Sequence, residues 1–188
     1  MLRTTLAFVL LLVAGCAGGA ATPHEHVHGS TAPSTSASAS TGFTDTDNAY
    51  VQLAIPQDET ALKVVELARA RAGVAPDLVA LAGDVEAGHR AELDGLRAAL
   101  AKAGKAYESL HEGHDMPGMV TAAELDAVAK ATGGAFDDQL RTLLRAHFEE
   151  STTVAKSEQS AGSDRAVIEL AKGIERVRAD YLARLGTS

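Results

Sequence analysis

The chain reads as all-α: a four-helix bundle built from two helical hairpins, with a short extra helix in the connection between them. Three observations predict this. Beyond Asp45 the composition is dominated by Ala, Leu, Glu, Lys and Arg, all good helix formers. The apolar residues recur at helical spacing, and the alternation of a half-buried strand is missing. Glycine, proline and capping residues then cut the sequence into four long segments.

The first segment runs from about Asp47 to Arg71 and stops at Gly73. Pro56 lies inside it and is read as a kink, because Tyr50, Leu53 and Ile55 before it already occupy buried helical positions. Pro76 and Asp77 open the second segment: proline suits a first helical turn, and an acid suits the positive end of the helix dipole. This segment ends near Gly104, with Leu78, Leu81, Val85, Leu96 and Leu100 as its apolar stripe. Thr121-Ala-Ala-Glu124 is a capping-box pattern and predicts the short extra helix. The third long segment runs from about Ala135 to Ala161, between Gly133-Gly134 and Gly162, with Phe136, Leu140, Leu143, His147 and Val154 on its stripe. Ser163-Asp164 caps the fourth, which closes at Gly186 and carries Val167, Leu170, Ile174, Val177, Tyr181 and Leu185. Aromatic residues make up only 4% of the chain, so Leu, Val and Ala must fill the core. The two hairpins also parallel each other: Leu81-Ala82-Gly83-Asp84-Val85-Glu86 corresponds to Leu170-Ala171-Lys172-Gly173-Ile174-Glu175, and Ile55-Pro56-Gln57-Asp58-Glu59 to Arg145-Ala146-His147-Phe148-Glu149.

The sequence before the bundle has a different character. Arg3 supplies a basic start, and Leu6 to Val13 form an apolar run too short to span a bilayer but suited to a signal peptide. Val13-Ala14-Gly15-Cys16 resembles the lipobox of bacterial lipoproteins. That resemblance implies removal of residues 1–15 and acylation of Cys16, the only cysteine of the 188 residues. Residues 16–44 are rich in Ser, Thr, Ala, Gly and Pro and read as a flexible tether with a reach of about 30 Å. The bundle is then 45–188. The expected location is the extracytoplasmic face of a membrane, reached through the lipid anchor. A formal net charge of -8 and no basic cluster argue against nucleic acid as a partner.

Candidate chemistry is concentrated between the hairpins, in His111-Glu112-Gly113-His114-Asp115-Met116-Pro117-Gly118-Met119. With Met1 lost, Met116 and Met119 are the only methionines, and both sit in a turn-prone loop and not in a helix, where methionine usually serves as filler. A thioether is a poor ligand for Zn, Ca or Mg and a good one for Cu(I), while imidazole serves both copper states. His111, His114, Met116 and Met119 are therefore candidate ligands for a copper ion. The competing reading is that the two methionines simply cover the end of the bundle. In the tether, His24-Glu25-His26-Val27-His28 places three rings on one side of an extended strand, an auxiliary capture tract or a solvated polar patch.

The remaining histidines, His89 and His147, fall within helices. Glu86 precedes His89 with the Glu-x-x-His spacing of di-iron bundles, Glu92 follows His89 by the same interval, and Glu150 follows His147, but a carboxylate-bridged centre needs two such motifs and two further inward acids. On spacing alone the two histidines read as satisfied core residues and as weaker metal candidates than the loop.

These segments resemble the family known as domain of unknown function 305, whose members are duplicated, ferritin-like bundles, often exported and associated with copper or silver. Its hallmark is a Met-Ile-x-His-His-Glu-x-Ala phrase in the first helix of each half and a Leu-Ala-x-x-Ile-x-x-x-Gln-x-x-Glu-Ile phrase in the second. Here Gln57 and Asp58 stand where the first histidine pair belongs. Leu81 to Leu93 follows the second phrase with His89 at the glutamine position. His147 is the one histidine kept from the second pair, and Arg178 and Tyr181 replace glutamine and glutamate. The loop from His111 to Met119 matches the family's His/Met-rich connection.

The function expected from this sequence is an extracytoplasmic lipoprotein that binds copper, with silver as a second soft ion, and buffers or passes on metal without turnover. Two alternatives are a di-iron or di-manganese oxidase using Glu86, His89, His147 and Glu150, and a scaffold for an envelope partner that binds no metal. No Ser-His-Asp set, phosphate-binding glycine loop or nucleophilic cysteine supports a hydrolase or a nucleotide-binding protein.

Overall fold

The computed structural model describes residues 42–111 and 114–186. Five helices follow one another: α1 (Asp45–Ala70), α2 (Pro76–Lys102), α3 (Ala122–Lys130), α4 (Gly134–Ala161) and α5 (Arg165–Leu185). The four long ones are those expected, and α3 is the short helix of the connection. No strand occurs among the described residues, and none of their helices is long and apolar enough to cross a membrane.

The helix ends follow local chemistry. Thr44 and Asp47 form a capping box, which starts α1 two residues before the position expected. Thr121 and Glu124 form a second one at α3. Pro76 takes the first turn of α2, and the Asp164 carboxylate accepts from the backbone N–H groups of Ala166 and Val167 at 2.8 and 3.1 Å to cap α5. Helix α1 continues through Pro56 and does not begin there.

The packing pairs α1 with α2 and α4 with α5, and the hairpins then join through α1–α4 and α2–α5. The four helices thus form a square in which α1 lies diagonal to α5 and α2 diagonal to α4. The buried core includes Val51, Ile55 and Val65 of α1, Leu78, Val85 and Leu96 of α2, Leu140, Leu144 and Phe148 of α4, and Val167 and Ala171 of α5. Each aliphatic or aromatic side chain of this kind contributes about 1.5–3 kcal/mol on leaving water. Several stripe positions differ from expectation: Leu144 enters the core, while Leu143, Val154, Leu170 and Val177 are half-buried against it, Leu143 close to Val128 of α3.

The connection between α2 and α3 is sewn to the bundle by side chains. The Gln52 amide donates to the Ala106 carbonyl at 2.8 Å and accepts from the Glu108 N–H at 2.9 Å. Gln57 donates to the Pro117 carbonyl at 3.1 Å, and the Val120 N–H donates to the Thr60 hydroxyl at 3.2 Å. The loop therefore closes over α1 and α4 at mid-height of the bundle.

Candidate metal centre

At one level of the bundle interior both diagonals of the square carry polar side chains. His89 on α2 meets His147 on α4 across one diagonal, and Asp58 on α1 meets Arg178 on α5 across the other. These four side chains are almost wholly buried, at 0, 1, 2 and 1% exposure respectively. Glu92, one turn beyond His89, and Ser151, one turn beyond His147, complete the cluster.

Asp58, His89 and His147 converge on a single point. Among the described residues they are the one set of three His, Cys, Asp or Glu side chains whose ligating atoms lie within 4.8 Å of one another. The two imidazole Nε2 atoms face each other at 2.8 Å, and Asp58 Oδ1 lies 3.7 Å from His89 Nε2 and 3.8 Å from His147 Nε2. The ring planes are tilted by 46°, and Phe148 packs edge-on against both.

The hydrogen bonds assign the protons. His147 Nδ1 lies 2.9 Å from the Gly118 carbonyl, which can only accept, so His147 carries its proton at Nδ1 and presents a bare Nε2. The 2.8 Å contact then requires the proton of His89 to sit at Nε2. His89 Nδ1 is left buried with no hydrogen-bond partner, its nearest carboxylate oxygen being that of Glu92 at 3.8 Å.

Both rings are uncharged over the physiological range. Burial holds His147 down to about 3, with the Arg178 guanidinium as the second cause. His89 is held well below its ordinary value by burial, then by Arg178 and by its histidine partner. Burial drives the Asp58 carboxyl well above its usual range, assisted by the nearby Glu92, and Arg178 opposes that rise.

Arg178 is held on every side. Its Nη1 and Nη2 donate to the two oxygens of Glu92 at 3.1 and 2.7 Å, Nη2 also donates to Asp58 Oδ1 at 2.9 Å, and Nε donates to Ser151 at 3.1 Å. Asp58 Oδ2 has no partner.

The duplication is visible in this geometry. His89 and Arg178 each stand eight residues after the Leu-Ala pair of their hairpin, Leu81-Ala82 or Leu170-Ala171. Gln57 and His147 are likewise equivalent, and they bond successive loop carbonyls, Pro117 and Gly118. Asp58 corresponds to Phe148, and Glu92 to Tyr181.

The donor set suits a borderline or soft metal ion. Two imidazole nitrogens on one tetrahedral ion at 2.0–2.1 Å are separated by about 3.3 Å. The triangle of 2.8, 3.7 and 3.8 Å brackets that value. The carbonyl behind His147 is the outer-shell partner that orients a ligating imidazole, and the orphaned Asp58 Oδ2 is a further donor.

The loop residues are placed separately. His111 and Met116 are half-buried, and tight turns bond the His114 N–H to the His111 carbonyl at 3.1 Å and the Met119 N–H to the Met116 carbonyl at 3.0 Å. His114 and Met119 line, with Asp115, Glu59, Lys63 and Arg97, a cleft of about 940 Å³ beside α1 and α2, whereas His111 and Met116 are not among its walls. Of the loop, the Gly118 carbonyl reaches the histidine pair directly. Glu86 lies away from the cluster, paired with Arg69 and with Arg90 at 3.0 Å, and Glu150 packs against Gly118. Cys16, His24, His26 and His28 lie outside the described residues. From sequence, Asp58 and Arg178 stood only as departures from the family's pattern, and Glu92 as an acid one turn after His89. The signal that would have found them is the repeat itself, since equivalent positions of the two hairpins converge at one level.

Comparison with known proteins agrees with this architecture. The sequence model of the family described as domain of unknown function DUF305 matches residues 47–187. Among curated proteins none matches significantly. The structure of a DUF305 fragment from Deinococcus radiodurans superposes with a TM-score of 0.68 at 17% identity, covering 77% of this chain and 95% of that one. A secreted DUF305 protein from Streptomyces coelicolor gives 0.67 at 17% identity, covering 74% and 89%. CopM in its Cu(I)-bound form gives 0.63 at 18% identity, covering 74% and 91%, and in its Cu(II)-bound form 0.65 at 18%, covering 74% and 92%.

Proposed function

This chain belongs to the DUF305 family, and from that starting point we propose that it binds copper, with silver as a second soft ion, outside the cytoplasm and holds or hands on the metal without turnover. One observation carries the reading: two buried, uncharged imidazoles face each other at Nε2, with a carboxylate oxygen completing the triangle. Neutral imidazole is the protonation state that binds metal, so an incoming ion meets little competition from protons at either ring. His89 Nε2–H donates to His147 Nε2 in the absence of metal, and these two imidazoles would be the groups that hold the ion.

Two further observations support copper over harder ions. The structural likeness includes CopM, whose structure is known in Cu(I)-bound and Cu(II)-bound forms. The loop that bonds His147 carries His111, His114, Met116 and Met119, and thioether sulfur favours Cu(I). In this reading the loop captures the ion and the histidine pair retains it. His24, His26 and His28 are auxiliary, and acylated Cys16 tethers the bundle to the membrane.

Competition titration of the purified protein with Cu(I) against a chromogenic chelator tests the reading. Expected is retention of Cu(I) by the wild type, weakened at least about tenfold in His89→Phe with His147→Phe, and separately in Met116→Leu with Met119→Leu. No retention by the wild type would reject it. Labelling cells with a radioactive fatty acid tests the anchor: incorporation lost in Cys16→Ser is expected, and incorporation retained would exclude this cysteine.

A further inference from the structure

The polar level of the bundle contains two imidazoles and two carboxyl groups, and Arg178 engages three of the four carboxyl oxygens. We propose that Arg178 is the specificity-determining residue of the metal centre: its guanidinium claims Asp58 and Glu92, shuts divalent ions out of the bundle interior, and leaves the histidine pair to singly charged soft ions. This rests on the metal-binding reading for its physiological meaning, but the chemistry can be tested independently.

The geometry is that of an internal counter-ion. All three guanidinium nitrogens are engaged, two of them on Glu92 as a fork and one of those shared with Asp58. An arginine held this way is pre-organised and cannot be deprotonated. It sets a fixed positive charge between the two acids, where a bound cation would otherwise sit. Two imidazoles with two carboxylates converging in a dry chamber would otherwise be the donor set of a zinc, manganese or iron centre.

The position within the repeat points the same way. Arg178 is the equivalent of His89, so one half of the duplicated centre offers an imidazole and the other offers a permanent cation. An ion seated on the His89–His147 pair would lie beside that guanidinium, separated from it by the width of the Asp58 carboxylate. The acids would draw a divalent ion twice as strongly as a monovalent one, and the fixed guanidinium charge cancels part of that attraction, so its effect is larger on the divalent ion. That ion also finds both Glu92 oxygens and Asp58 Oδ1 already bonded to Arg178, with Asp58 Oδ2 left over. A singly charged soft ion needs only the imidazoles.

The experiment uses the full chain as wild type, Arg178→Met, and Arg178→Met with His89→Phe. Each is titrated with Zn(II), Mn(II) and Ag(I) by calorimetry, with helicity followed in parallel. Expected is a gain of at least about tenfold in Zn(II) or Mn(II) affinity in Arg178→Met, abolished by adding His89→Phe, with Ag(I) binding retained in both the wild type and Arg178→Met. Because Arg178→Met leaves two buried acids unpaired, Arg178→Met with Glu92→Gln is measured alongside it. That variant keeps Asp58 and both imidazoles and should gain Zn(II) as well. Folding of either variant only on addition of Zn(II) would equally support the assignment.

The proposal is overturned if the folded variants bind divalent ions no better than wild type. It is also overturned if the wild type already takes Zn(II) at a site sensitive to His89→Phe, or if both variants stay unfolded with and without Zn(II). Failure of the wild type to bind Ag(I) or Cu(I) would defeat the proposed function and leave a divalent gain in Arg178→Met intact, so the two outcomes are separable.

Discussion

His147 gives its Nδ1 proton to the Gly118 carbonyl at 2.9 Å, and through that bond the connection loop sets the orientation of the bundle's central imidazole. Gly118 is bound to this arrangement by its own geometry. Its φ of +77° lies in the left-handed region, and an added Cβ would come within 2.7 Å of Glu150 Cβ.

Gly118→Ala should therefore lower stability by about 1–3 kcal/mol, combining backbone strain with a contact to a carbon that cannot swing away. The loop must shift, and His147 loses its fixed tautomer. Thermal denaturation measures the first effect, and nitrogen chemical shifts of the His147 ring measure the second. Unchanged ring shifts would mean the carbonyl does not position the histidine.

Gln52 holds the start of the same loop through both ends of its amide. Gln52→Leu keeps the apolar volume and removes both bonds, at a cost of about 1–3 kcal/mol. Trypsin cleavage after Lys105, which is exposed just beyond α2, should accelerate several-fold, while cleavage after Lys130 at the end of α3 stays as it was. Equal acceleration at both sites would indicate global loosening in place of local release.

The two central histidines make stability depend on acidity. Their folded-state affinities for protons are depressed, to about 3 for His147, against an ordinary value of 6.5. Below pH 6.5 the unfolded chain takes up protons that the folded chain refuses. Stability is complete above 6.5 and falls as pH drops toward 3, by as much as about 1.4 kcal/mol per pH unit per ring. Urea denaturation across that range should show a shallower acid limb in His89→Phe with His147→Phe than in the wild type.

Glu158 should produce the opposite slope. It is buried near the end of α4 with neither oxygen partnered, and burial followed by the neighbouring Asp47 pushes its carboxyl up to about 8 from 4.5. Asp47 remains ionised: burial would raise it, but bonds from Thr44, Asp164 and Ser163 outweigh that and hold it well below the carboxylate range. The folded chain thus keeps a proton on Glu158 that the unfolded chain releases, so this residue's contribution falls as pH rises from 4.5 to about 8. Glu158→Gln should flatten the alkaline side of the stability curve and melt above wild type at pH 8 and higher.

The helices were readable because their signals are local. The capping boxes at Thr44–Asp47 and Thr121–Glu124 close within three residues, Pro76 acts at its own turn, and Asp164 reaches the next two or three N–H groups. The loop between the hairpins was legible as unusual from its Met and His content. Its role as a clasp was not, because Gln52 and Gln57 bond to carbonyls more than 50 positions away. The spacing test applied to His89 sought a carboxylate one turn away on the same helix. That test selects Glu86, which faces Arg69 and Arg90 on the outside, and Glu92, which joins the cluster, and it misses Asp58 on another helix.

From the sequence alone came the all-α class, the division into two hairpins, the helix limits to within two residues and the family likeness, all properties of neighbouring residues or of motif order. Only the tertiary structure decided that His89, His147, Asp58 and Arg178 share one level of the core. Each residue along a helix turns its side chain by about 100°, so whether four side chains on four helices meet depends on how every helix is rotated and shifted against the others. That is settled by packing across the bundle, and no single segment contains it.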